Sequence, residues 1–166
     1  MRSHQEVDIH SKPYRQLLAF SLSALAVLPG ASPSLLDDLV HEQLLVLGFP
    51  DVLDTQGCLQ GRAGSGNQAM FVAIFLLHGR KHLGLDTQAH INTWTNQHLE
   101  HMNQFGFWGK ASGITHLQFQ NGYHQHEVLE YLGVENPRPD QNSLEAVSSL
   151  ADTQGHFAPS PWRRRR

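Results

Sequence analysis

The chain has 166 residues, 40% of them hydrophobic, and a net charge of -3 with histidine neutral. That length and apolar share suffice for one domain with a sizeable core and exclude an intrinsically disordered chain. A single cysteine, Cys58, excludes an internal disulfide, and outside the terminal Arg163-Arg164-Arg165-Arg166 the basic residues form no stripe, so no specific nucleic-acid partner is expected.

Residues 1–13 are polar and read as a loose N-terminal segment. From Tyr14 to Leu28 the chain turns apolar, first in Leu17-Leu18-Ala19-Phe20 and then from Leu22 through Leu28. Two readings compete. Arg2, Lys12 and Arg15 ahead of the run and Pro29-Gly30-Ala31 behind it fit a signal peptide whose apolar stretch spans 17–31. Glu6 and Asp8 in a long leader, and the awkward Pro29 at the cleavage point, favour a buried helix stopped by Pro29-Gly30. About 12 apolar residues are too few to cross a bilayer, so no membrane span and a cytoplasmic location are expected.

Ser34 is placed to cap a second helix, Leu35 to Leu47, with Leu36, Leu39, Val40, Leu44 and Leu47 on one face and Gly48 and Pro50 behind it. The following loop holds Asp54-Thr55-Gln56-Gly57 and Gly61-Arg62-Ala63-Gly64-Ser65-Gly66. From Gln68 to Leu83 the chain is apolar nearly all round, and a helix without a polar face is one enclosed by other helices. Asp86-Thr87 open a further helix with Ile91, Trp94, Leu99 and Met102 toward one side, and Gly106-Phe107-Trp108-Gly109 closes that unit. Thr115 caps a helix from His116 to Leu132 that ends at Gly133. Pro137 and Pro139 mark a turn before a last one-faced helix, Ser143 to Ala151, carrying Leu144, Val147 and Ala151 inward.

A period runs through these elements. Asp54-Thr55-Gln56-Gly57 returns as Asp152-Thr153-Gln154-Gly155, with Asn103-Gln104-Phe105-Gly106 midway, so that Gly57, Gly106 and Gly155 stand 49 residues apart. Gly84 and Gly133 each follow 27 residues after the first two. Repetition of this length points to stacked supersecondary units. The predicted fold is all-α, built of antiparallel αα-hairpin repeats of about 49 residues over 14–158, with 159–166 a basic tail. The four arginines follow abruptly on Ala158-Pro159-Ser160-Pro161-Trp162, as expected of a truncated or frame-shifted chain. At each motif the glycine is expected to be left-handed, and the residue two places on (Leu59, Trp108, Phe157) to plug the gap between hairpins.

This arrangement resembles the α/α-toroid superfamily, in which inner and outer helices alternate around a cavity. Gln104-Phe105-Gly106-Phe107-Trp108 is similar to the repeat ending of terpenoid cyclases and protein prenyltransferases, and so is the glycine-rich loop running into an apolar helix from Gly57 to Leu77. Polysaccharide lyases and six-hairpin glycoside hydrolases share the architecture. The resemblance implies half of such a toroid, since a whole one has about six hairpins, and the aspartate-rich signatures of prenyltransferases and cyclases are not visible. A shared fold does not transfer a reaction.

The resemblance implies a cavity lined by inner helices, and two stretches are candidates for its chemistry. Arg62, Asn67 and Gln68 flank a glycine-rich loop at a helix N-terminus, where free N–H groups suit oxygen-rich ligands. On the helix from His116, the residues His116, Gln120, His124 and Glu127 share a polar side at spacings of four, four and three, and Asn121 and Tyr123 lie in the same stretch. His116, Tyr123, His124 and Glu127 are the candidate acid–base residues, and Arg62, Asn67, Gln68, Gln120 and Asn121 the substrate-binding set. Gly122 within that helix costs about 1 kcal/mol relative to Ala, which points to a close contact there. His78 with His82, and His98 with His101, have ligand spacing, but no metal or other cofactor is expected because the HExxH pattern is missing. The expected ligand is a polar small molecule or polysaccharide, processed by a lyase or hydrolase if the protein is an enzyme. An isoprenoid substrate and a non-catalytic repeat scaffold are the alternatives, and a half-toroid is expected to self-associate through its open edges.

Overall fold

The computed structural model describes residues 8, 11–47, 57–62, 64–110, 115–135 and 140–151. Asp54, the whole second motif copy at 152–155, Phe157 and the arginine tail lie outside the described residues. The described residues are all-α, with one isolated bridge between Met102 and Trp108 and no strand. Helix α1 is Lys12–Val27, α2 Asp37–Leu47, α3 Ser65–His82, α4 Gln88–His101, α5 His116–Tyr131 and α6 Asp140–Ser148.

Local chemistry sets the helix starts. Ser11 caps α1 by accepting from the Tyr14 N–H, with Pro13 in the first turn, so the helix begins two residues ahead of the apolar run. Ser32, not Ser34, governs the next start: it accepts from the Ser34 N–H and opens a single 3-10 turn, Pro33–Leu36, which leads into α2. Asp37 and Asp38 then fall in the first turn of α2, where the helix dipole favours carboxylates. At α5 the capping box is complete. Thr115 Oγ1 accepts from the Gln118 N–H at 3.1 Å and Gln118 Oε1 accepts from the Thr115 N–H at 3.0 Å.

The enclosed helix lies where its composition demands. Helix α3 touches α1, α2, α4 and α5, and Phe71, Val72, Phe75 and Leu76 on it are almost wholly buried. Leu18, Ala19 and Leu22 of α1 pack on it, as do Val40 and Leu44 of α2 and Ile91 and Trp94 of α4. Phe20 meets the edge of Phe71 at 6.0 Å. Thr87 stands at the N-terminus of α4, as its sequence position predicts, but its hydroxyl is used differently. It donates to the Leu76 carbonyl of α3 at 2.9 Å and so ties the two helices together.

Three faces differ from the helical-wheel reading. The outward side of α1 leaves Leu17 and Val27 exposed, so this helix is half-buried, not enclosed. On α2 the polar Gln43 is fully buried, where its Oε1 accepts from Arg15 Nε, whereas Leu39 is partly exposed. In α6, Ala146 is buried while Leu144 is 67% exposed. The two side chains of α6 lie two residues, about 200°, apart, so only one of them can face the protein.

The periodic glycines behave alike. Gly57, Gly84, Gly106 and Gly133 all have φ between +64° and +78°, the left-handed region in which a Cβ is penalised. After α3, the chain reverses through Gly84 and the Leu85 N–H reaches back to the Gly79 carbonyl at 3.0 Å. Leu59 and Trp108, two residues beyond their motif glycines, are both buried. Trp108 sits between α4 and α5, its ring 5.5 Å from that of His98 and 5.1 Å from that of His126.

Candidate functional site

Helix α5 is polar on both sides, and the two sides have different tasks. Gln118, Asn121 and Gln125, spaced three and four apart, are buried together with Val128 and Leu129. Two loops, 57–62 and 106–110, present backbone carbonyls to this side, and buried carbonyls require donors. Gln118 Nε2 donates to Lys110 O at 2.9 Å and Trp108 O at 3.4 Å, while Asn121 Nδ2 and Gln125 Nε2 reach Cys58 O at 3.5 and 3.4 Å. His126 Nε2 lies 2.7 Å from Gly106 O. The Ser65 hydroxyl, at the start of α3, sits among the carbonyls of Gly57 and Arg62 and the amide oxygen of Asn121.

Close backbone contact fills this seam. A Cβ on Gly66 would lie 1.9 Å from the Asn121 carbonyl oxygen, so only glycine lets α3 and α5 cross here. Gly122 likewise has the Phe107 ring within 2.5 Å of where its Cβ would be, which accounts for the glycine within α5. The glycine-rich loop is thus packed against protein. Gln68 and Asn121, expected to bind substrate, are interior, Asn67 is half-buried, and Arg62 and Gln120 are exposed.

The seam holds further buried polarity. His98 is fully buried, stacked at 3.8 Å on Trp94, with its Nδ1–H donated to the Trp94 carbonyl at 2.9 Å. Burial pushes its imidazole down to about 4, against the smaller raising effect of its hydrogen bonds. Cys58 is also buried, and loss of solvation pushes its thiol up to about 12, which removes it as a nucleophile at neutral pH. Its Sγ donates to the Ser65 carbonyl at 3.1 Å.

The opposite side of α5 carries the candidate acid–base residues. His124 Nδ1 is 2.9 Å from Glu127 Oε2, and the Tyr123 ring lies 4.7 Å from that of His124. Tyr123 is half exposed, and hydrogen bonding to Glu127 and the charge of that carboxylate raise its phenol above the ordinary value. Tyr131, eight residues on, is 69% exposed on the same side. His116, in the first turn, shares that side without joining the His124–Glu127 pair. Tyr123, His124 and Glu127 are therefore brought together, facing solvent.

Two features escaped sequence reasoning. The spacing of Gln118, Asn121 and Gln125 was available as a second polar stripe, but nothing local distinguishes which stripe turns inward. The second is a pair between His78 Nε2 and Asp37 Oδ1 at 2.7 Å, made across 41 residues, with the His82 ring stacked 4.5 Å from His78. No sequence signal joins residues so far apart. Among the described residues no three His, Cys, Asp or Glu side chains converge as a metal site, and no helix is long and apolar enough to cross a membrane. Compared with known proteins, the chain matches no family model, no curated protein and no solved structure.

Proposed function

We propose that this chain is a helical-hairpin protein of the α/α-toroid kind, with repeats of about 49 residues, that binds a hydroxyl-rich, carbohydrate-like ligand on the solvent side of α5. The observation that carries the binding reading is the exposed group of Tyr123 and Tyr131 beside the His124–Glu127 pair. Tyrosine offers a rigid apolar ring with a polar tip at low entropic cost, which suits the C–H faces and hydroxyls of a sugar. The imidazole and carboxylate supply a donor and acceptors at fixed spacing beside it. What supports the architectural part is the contact of α3 with both α1 and α5, the alternate helices, and the shared left-handed state of the four described periodic glycines.

The reading is one of binding first. A carboxylate that orients an imidazole is a common acid–base arrangement, but this pair is open to water on an exposed helix side, where electrostatic effects are screened. Titration of the protein with soluble neutral and uronate-containing oligosaccharides, followed by NMR shifts of α5, tests the proposal. Saturable binding is expected, with Tyr123→Ala and Tyr131→Ala each weakening it by roughly two- to tenfold, the range for loss of an aromatic contact. Absence of saturable shifts at millimolar sugar, or binding that survives the double substitution unchanged, overturns it.

A further inference from the structure

A groove of about 190 Å³ lies between α1 and the C-terminal half of α3, with Pro33 in its lining. It is remote in sequence from the α5 surface and shares no lining residue with it. Its floor is apolar, formed by Leu22 and Ala26 of α1 and Ile74 and Leu77 of α3. Ser23, His78, Lys81 and His82 complete the lining, the last two in the last turn of α3. The groove therefore joins an apolar surface to cationic side chains.

The charge balance there favours an anion. Three basic residues, Arg80, Lys81 and His82, stand in the last turn of α3, more than enough to offset the half negative charge of a helix C-terminus. Among the described residues, neither Lys81 nor His82 is paired with a carboxylate. The lining residue His78 holds Asp37, its Nε2 2.7 Å from the carboxylate Oδ1. The Asp37 carboxylate is thus engaged by His78, while among the described residues the Lys81 ammonium has no carboxylate partner. The volume is below the roughly 300 Å³ at which pockets begin to take drug-sized ligands, which limits the occupant to a small molecule.

We infer that this groove binds a small amphipathic carboxylate, its apolar body on Leu22, Ala26, Ile74 and Leu77 and its carboxylate on Lys81 with His82 alongside. Apolar contact supplies the attraction, and the lysine ammonium, a compact point charge on a flexible stem, selects the acid over neutral analogues of equal length.

The test uses octanoate below its micellar concentration, with 1-octanol and acetate as comparators, and reads methyl resonances of the intact chain. Octanoate is expected to shift Ile74 and Leu77 saturably and more tightly than 1-octanol, while acetate is ineffective. Lys81 is exposed, so Lys81→Gln is expected to fold. It should weaken octanoate by about threefold, the scale of a solvent-exposed ion pair, leave 1-octanol unchanged, and be rescued by Lys81→Arg. Equal affinity for octanoate and 1-octanol, indifference to Lys81→Gln, or shifts spread over exposed Leu17 and Leu28 without saturation would each overturn the proposal. None of these outcomes bears on the α5 surface, so the two readings fail separately.

Discussion

Histidine is abundant in this chain, and its copies are not equivalent. In the sequence His98 is notable only for standing three residues before His101, a spacing that suits metal ligands. In the fold it is fully buried between Trp94 and Trp108. Burial disfavours the imidazolium, so the native imidazole titrates at about 4 and the unfolded one near its ordinary 6.5. Between those values the unfolded chain binds more protons, so the contribution of His98 to stability is complete above about pH 6.5, declines as pH falls below that, and is gone near pH 4. At about 1.4 kcal/mol per tenfold change in proton affinity, the effect is on the order of 3 kcal/mol. Urea unfolding from pH 4 to 7 should show this rise, and His98→Asn should flatten it. An unchanged slope in the variant would assign the pH dependence to other groups. The same burial explains Cys58, whose thiol is expected to resist alkylation in the native state and react only on unfolding.

Helix α5 shows what local patterning can and cannot decide. The capping box Thr115-x-x-Gln118, the helix end at Gly133 and the close contact at Gly122 are all legible, because each depends on residues a few positions apart or on one glycine. The inward face is not legible, since both sides of α5 are polar and hydrophobicity supplies no direction. The side carrying Gln118, Asn121 and Gln125 turns in because the carbonyls of Cys58, Trp108 and Lys110 need donors there. Gln118 thus serves both as capping partner and as donor to the 106–110 loop. Thr115→Ala is expected to cost about 1 kcal/mol, a typical cap loss. Gln118→Ala should cost more, because it also removes the side-chain donor to the Trp108 and Lys110 carbonyls. Chemical denaturation of the two variants checks the order, and equal costs would deny Gln118 its second role.

Across the whole molecule, the apolar surface is unevenly covered. Leu17, Val27 and Leu28 of the α1 segment, with Leu35 and Leu45 around α2, remain exposed although α3 between them is enclosed. Exposed apolar side chains on neighbouring elements favour association. Light scattering behind a sizing column should give a molar mass above the 18.6 kDa of one chain. Leu17→Lys with Val27→Lys should return it to that value. A monodisperse monomer for the unaltered chain would mean that the edge helices are stable in water as they stand.

The features legible in the residues alone are local or periodic: six helical segments nearly in place, the caps at Thr87 and Thr115 as positions, left-handed glycines at a shared spacing, and α3 as the enclosed helix. Each follows from nearest-neighbour geometry or from a helix that is apolar on every side. It takes the packed fold to show that Thr87 bonds α3, that Gly66 lets α3 and α5 meet, that Asp37 holds His78, and that Tyr123, His124 and Glu127 face water while Asn121 and Gln125 do not. These outcomes depend on pairs of residues tens of positions apart. Their alternatives are equally consistent with helix propensity, and the fold chooses among them by satisfying buried carbonyls and close-packing the crossings.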